Sequence, residues 1–199
     1  MTLSQSIPSI SVVDINNLEI ETERLILRRF KSDDLDSLYK LRNQGDVVRY
    51  LYEEEQTLDE TRRTLDKRLE MNSLNKDNDT LILAVEEKRT GDFVGDLILI
   101  LTSATFSQGE IGFVFNPKFH GKGYGFEASK EILRYGFEDL GLHRIVGRCD
   151  GRNKASAALM KKLGLKQEAH LIENEWIKGC WTDELVFAMR HSQWDDLTV

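Results

Sequence analysis

The sequence predicts a mixed α/β layer fold (α+β in its succession of elements) in one domain: a mixed, mostly antiparallel sheet with helices on both faces. Three observations carry this. Two segments of helical spacing come early, strand-like runs broken by turn signals follow as an antiparallel meander, and the last part alternates strand, helix and strand. A chain of 199 residues suits one domain with a substantial core and is short for two. We expect an N-terminal arm over 1–18, the domain over 19–192 and a C-terminal tail over 193–199.

The elements follow in order. Between Glu23 and Phe30, Leu25, Leu27 and Arg29 alternate with Arg24, Ile26 and Arg28, which predicts a strand. Ser32 is placed to cap a helix carrying Leu35, Leu38, Tyr39 and Leu41 at helical spacing. Thr57 and Glu60 form a capping-box pair that opens a second helix, running to about Met71. After a polar break at 72–79, strands are expected over 80–87 and 93–101, with Thr90-Gly91-Asp92 as the turn between them. A strand over 109–115 ends at Asn116-Pro117. A helix over 125–140, a strand over 144–150 and a helix over 153–163 come next. Strands over 166–169 and 181–189 close the pattern.

Composition narrows the function classes. Hydrophobic residues make up 40% and charged residues 31%, a soluble globular balance, and the apolar run at 97–101 is far too short to cross a bilayer. Met1 to Ile10 shows no basic region followed by an apolar block, so no signal peptide and a cytoplasmic location are expected. With 34 acidic against 27 basic residues the net charge is −7, which favours a cationic partner over a nucleic-acid backbone. The run Glu53-Glu54-Glu55 reads as a solvated surface. Cys149 and Cys180 lack CxxC spacing, and Cys149 reads as a buried, inert thiol. The four histidines have no metal-ligand spacing, so no metal is expected.

The chemistry-bearing segment runs from Glu110 through Phe115, Asn116-Pro117 and His120-Gly121-Lys122-Gly123-Tyr124-Gly125 to Ala128. A strand leads into a loop with glycines at alternate positions, and a helix follows at once. Glycines let the backbone approach a ligand and turn its N–H groups inward, and the helix N-terminus favours an anion such as a pyrophosphate. Lys122 could add a positive charge. A Walker loop is excluded, because no Gly-Lys-Ser/Thr occurs. Gly123 to Ala128 fits the loose pattern G-x-G-x-x-G/A, yet seven residues separate it from the strand and no acid falls at 143–147. A glycine-rich turn without a ligand remains open on the loop alone.

Three motifs in order give more. His120 to Gly125 resembles the Q/R-x-x-G-x-G/A acetyl-CoA signature of the GNAT superfamily of N-acyltransferases, with His120 at the usual Gln/Arg position. Asn153 to Leu165, with Ser156, Leu159 and Gly164, resembles the second signature, N-x-x-S-x-x-L-x-x-x-x-G-F. Glu21-Thr22-Glu23-Arg24-Leu25-Ile26-Leu27-Arg28 resembles the opening strand of the Rim-type branch, which acetylates ribosomal-protein N-termini. The resemblance spans about residues 19 to 190 and implies a GNAT-like acyl-CoA N-acyltransferase fold with acetyl-CoA as cosubstrate.

It also implies roles. Strands 110–115 and 144–150 would splay to admit pantetheine, with backbone N–H groups near Phe115 holding it and polarising the thioester carbonyl. His120, Gly121, Lys122, Gly123, Tyr124 and Gly125 would hold the pyrophosphate, and Asn153 the pantetheine arm, although Asn153 equally suits a plain helix N-cap. Many relatives place a Tyr seven positions after the Asn, where this chain has Met160, so Ser156 is the candidate acid for the leaving thiolate. Ser156 reads equally well as a small packing residue. Glu175, ahead of the last strand, and Glu110, at the start of the cofactor strand, are the candidate bases, with Glu175 favoured. Trp176 and Trp181 are read as anchors of a core or of a subunit interface in a homodimer. The expected acceptor is a primary amine: a protein N-terminal α-amine, with a small cationic amine such as a polyamine or aminoglycoside as the alternative. A non-catalytic CoA-binding module is the reading from another class. Neither a nucleic acid nor a membrane is an expected partner.

Overall fold

The computed structural model describes residues 15–198. One eight-stranded sheet frames it, in the order β1-β2-β3-β4-β5-β6-β8-β7. The strands are β1 (Glu19–Glu21), β2 (Leu25–Arg29), β3 (Thr80–Glu87), β4 (Phe93–Ser103), β5 (Gln108–Phe115), β6 (Arg144–Asp150), β7 (Lys166–Ile177) and β8 (Cys180–Arg190). The helices are α1 (Leu35–Arg42), α2 (Gly45–Val48), α3 (Leu58–Glu70), α4 (Tyr124–Arg134), α5 (Lys154–Lys162) and α6 (His191–Thr198). Every pairing is antiparallel except β5 with β6, which α4 connects as a crossover.

Alternation along β3 builds two cores. Leu81, Leu83 and Val85 face the larger one, shared with Ala128 and Ile132 of α4 and Ala157 and Met160 of α5. Ile82 and Ala84 face the smaller one, with Leu38 of α1 and Leu65 of α3. The period of two thus sends successive residues to helices on opposite faces. The capping box at Thr57 and Glu60 forms as the sequence implies, with the Thr57 N–H donating to Glu60 Oε2 at 2.8 Å. At α1 the expectation changes: Ser32 does not cap it and no side chain does, while Asp34 accepts the Lys31 N–H at 2.8 Å at the turn that precedes the helix. A short 3-10 turn at Ser32–Asp34 moves the side chain that can reach back to residue 34.

Asp96 on β4 is fully buried on the α1 and α3 side. It accepts from Arg42 Nη2 at 2.9 Å and Arg68 Nη1 at 2.9 Å, so one carboxylate ties both helices to the sheet. Burial pushes the pKa of Asp96 up, but the two guanidiniums outweigh it and hold the carboxyl below the usual range.

The largest departures from the sequence reading lie at the C-terminal end. β7 runs to Ile177 rather than 169. It is the edge strand, mostly exposed, with register shifts at Gln167/Ala169 and Leu171/Glu175, so no buried face imposes alternation on its sequence. Where a tail was expected, α6 continues to Thr198, and Trp194 stacks on Phe137 while donating to Glu138 at 2.8 Å. Ile15, inside the expected arm, is fully buried in the larger core. The rest of that arm, residues 1–14, lies outside the described residues. Trp176 and Trp181 are not core anchors: they form a cross-strand pair on β7 and β8, edge-on at 5.3 Å and more than half exposed. No described helix is long and apolar enough to cross a membrane.

Candidate active site

β5 and β6 pair only from Gln108↔Arg144 to Ile111↔Gly147. Beyond that point the two strands part. On the other edge of β5 the Asn116 N–H donates to Val94 O at 2.8 Å, and the register holds Val114 opposite Asp96 and Gly112 opposite Ile98. Alternation therefore turns the backbone groups of residues 112, 114 and 116 toward β4, and those of Phe113 and Phe115 toward the gap. His120 Nε2 lies 3.2 Å from Phe115 O, so this imidazole engages one of those groups. What faces the gap is a short strand edge able to pair with an amide-bearing chain.

The glycine loop follows. Gly121 and Gly123 have φ of +75° and +83°, conformations that side-chain-bearing residues rarely adopt. Gly125 is required for another reason: a Cβ there would sit 3.1 Å from the Phe115 ring and 3.6 Å from Leu159. Gly123 is the N-cap of α4, and no side chain caps that helix. The N–H groups of Tyr124, Gly125 and Phe126 thus have no intrahelical acceptor, and these residues line the cavity beside the gap. The cavity is about 640 Å³. His120, Gly121, Gly123, Tyr124, Gly125 and Phe115 all line it; Lys122 does not, its ammonium lying 5.0 Å over the Phe119 ring.

The opposite wall comes from α5. Asn153 lines the cavity and also caps α5, its Oδ1 accepting the Ser156 N–H at 3.0 Å. Cap and ligand contact are compatible, since the amide NH₂ of Asn153 is left for other donations. Ser156 lines the same cavity. Met160 is buried and turned to Gly147 of β6, away from it.

Glu110 and Glu175 do not line the cavity; both connect to Glu184 of β8, Glu110 through Arg148 and Glu175 through the Asn174 amide. Tyr52, from the loop after α2, stands near these carboxylates. Shielding from water and then the charges of Glu175, Glu184 and Glu110 push the pKa of that phenol up, although the side chain is largely exposed. Arg148 lies between two of the carboxylates, at 3.1 Å from Glu110 and 3.3 Å from Glu184. Glu175 accepts from the Asn174 amide at 3.2 Å, and the same amide donates to Glu184 at 3.2 Å. The tip of the β7–β8 hairpin is fixed over this region by Lys178, which donates to Val48 O at 2.8 Å. Sequence reasoning missed Tyr52, Glu184 and Arg148. The structure also keeps Cys149 from serving as a nucleophile, burial raising its thiol to about 11.

A parallel β5–β6 pair that splays beside an uncapped, glycine-led helix suits an extended, amide-bearing ligand with an anionic group at one end. The chain matches the family described as acetyltransferase (GNAT) domain over residues 24–166, and it belongs to that family. The protein is accordingly an acyltransferase, of a family that uses acetyl-CoA as acetyl donor. It is 30% identical over 184 residues, 89% of this chain and 100% of the relative, to "Uncharacterized N-acetyltransferase YnaD" of Bacillus subtilis (strain 168). It is 26% identical over 161 residues, 80% of this chain and 89% of the relative, to the spermidine N(1)-acetyltransferase of Vibrio cholerae serotype O1. Among solved structures, a GNAT-family acetyltransferase from Bacillus anthracis superposes with a TM-score of 0.79 at 28% identity, covering 88% of this chain and 99% of that one. Spermidine N-acetyltransferase from Vibrio cholerae, solved with CoA and spermine, does so at 0.74 and 25%, covering 87% and 99%.

Proposed function

We propose that acetyl-CoA binds along the open edge of β5 and the N-terminus of α4, and that its acetyl group passes to a primary amine of a small cationic acceptor. The observation that carries the acceptor reading is the convergence of Glu110, Glu175 and Glu184, which Arg148 and the Asn174 amide link into one cluster. A polyamine carries more than one ammonium, so several carboxylates can hold one nitrogen while another reacts. The similarity to spermidine acetyltransferases points the same way.

In this reading the acceptor arrives as an ammonium and Glu175 takes a proton from it, directly or through water. The neutral nitrogen attacks the thioester carbonyl, and backbone N–H groups near Phe115 stabilise the oxyanion that forms. The C–S bond then breaks as the nitrogen gives its second proton to the Ser156 oxygen, whose own hydroxyl proton passes to the departing thiolate, so that the amide and the CoA thiol are formed and Ser156 is restored. Glu110, 3.1 Å from Arg148, helps hold the acceptor's charge.

A protein N-terminal α-amine is the second reading. It is favoured by the resemblance of Glu21 to Arg28 to the Rim-type branch and by the exposed Trp176–Trp181 pair, an apolar surface an extended peptide can lie against. Thiol release from acetyl-CoA with triamines, diamines and short peptides separates the two. A polyamine kcat/KM at least about tenfold above that of peptides, an advantage near 1.4 kcal/mol, is expected. Preference for peptides would favour the second reading, and no release with any amine would contradict both.

A further inference from the structure

Arg24 stands immediately before β2 and reaches the start of α4, a separation of about a hundred residues in the chain. Its guanidinium makes contacts on three sides of the loop–helix junction. Nε donates to Glu127 Oε2 at 2.7 Å, Nη2 forms an ion pair with the same oxygen at 2.6 Å, and Nη1 donates to the Lys122 carbonyl at 3.0 Å. The guanidinium also lies 4.7 Å over the Tyr124 ring. The other Glu127 oxygen accepts the Thr22 hydroxyl at 2.6 Å and the Arg24 N–H at 2.8 Å.

Two consequences follow from elementary geometry and charge. In a trans peptide the C=O and the next N–H point in opposite directions. Holding the Lys122 carbonyl toward Arg24 therefore aims the Gly123 N–H to the other side, and Gly123 lines the cavity whereas Arg24 does not. Glu127 is an acid in the first turn of α4, close to where a pyrophosphate would sit. Left unpaired, its charge would repel that anion. Burial pushes the Glu127 pKa up, but hydrogen bonds from Thr22 and Arg24 outweigh this, so the carboxylate stays ionised and needs its partner.

We infer that Arg24 is a positioning residue for acetyl-CoA: it sets the direction of the glycine-loop amides and neutralises Glu127, without touching the reacting atoms. The inference rests on the reading of that loop as the acetyl-CoA site.

Calorimetric titration of CoA and initial rates with acetyl-CoA test it in the full chain. Arg24→Gln should raise the Kd of CoA and the KM of acetyl-CoA about tenfold, while kcat at saturation and the KM of the amine stay within about twofold. Arg24→Lys keeps the charge but not the fork, and should fall between wild type and Arg24→Gln. Adding Glu127→Gln to Arg24→Gln should recover part of the lost affinity, because the uncompensated charge is then gone. A folded Arg24→Gln with wild-type Kd overturns the inference. So does a loss in which kcat falls with melting temperature while the KM of acetyl-CoA does not move. If Arg24→Gln does not fold, wild-type affinity in Arg24→Lys overturns it equally. Gly125→Val is the control for the underlying reading. Its added side chain would press on Phe115 and the helix start, so wild-type CoA affinity there would remove the site itself. Weakened binding in Gly125→Val with an unaffected Arg24→Gln would sink the inference alone.

Discussion

Arg148 separates the two carboxylates that share the acceptor side. It pairs with Glu110 and Glu184, whereas Glu175 accepts from the Asn174 amide. A carboxylate tied to a guanidinium is a poor proton acceptor, so we propose Glu175 rather than Glu110 as the base. Glu175→Gln should lower kcat about 10²- to 10⁴-fold with acetyl-CoA affinity nearly unchanged, and the loss should shrink as pH rises and more amine is already neutral. Glu110→Gln should mainly raise the KM of the amine. Steady-state pH profiles of both variants check this, and a collapse confined to Glu110→Gln would reverse the roles. At this scale the sequence spoke through backbone demands. Gly121, Gly123 and Gly125 were legible because a loop between a strand and a helix has few other uses for so many glycines. Tyr52 was not: it sits in a polar loop before three glutamates, and its partners come from β5, β7 and β8.

Among the elements, the attachment of α1 and α3 to β4 rests on a buried ion triad rather than on apolar contact alone. Removing the charge of Asp96 would leave Arg68 buried without its carboxylate and Arg42 with only the more distant Glu53 at 3.6 Å, so Asp96→Asn should destabilise the fold by about 3–5 kcal/mol in denaturant titration. The sign with pH follows from the depressed folded pKa. The Asp96 contribution is fully present above the unfolded value of about 3.9 and is lost as pH falls through the folded one. Asp96→Asn should therefore flatten the acid limb of the stability curve; an unchanged limb would show that other carboxylates govern it. Elements with one buried face, such as β3 and α3, were readable from periodicity and capping. The exposed edge strand β7 and the four-residue α2 were not, since burial imposes little pattern on either. α6 also escaped, being held chiefly through one aromatic residue, Trp194.

Over the whole molecule, a net charge of −7 and the carboxylates around Tyr52 should draw a cationic acceptor. Its kcat/KM should fall as salt rises, because screening acts over about 8 Å at physiological ionic strength. A salt-indifferent rate would favour an acceptor selected by shape. The architecture itself was legible from the order of the motifs, because a parallel pair inside an antiparallel sheet needs a crossover helix, and the glycine loop marks its start. Where β5 and β6 stop pairing was not legible, since register depends on contacts between segments far apart in sequence. That opening is the centre of the account, and amide hydrogen exchange resolved to single residues tests it most directly. On addition of acetyl-CoA, the Phe113 and Phe115 amides and those at the start of α4 should slow, while the β2–β3 ladder keeps its rates. Unchanged exchange at Phe113, Phe115 and Tyr124 to Phe126 under saturating acetyl-CoA would contradict the account.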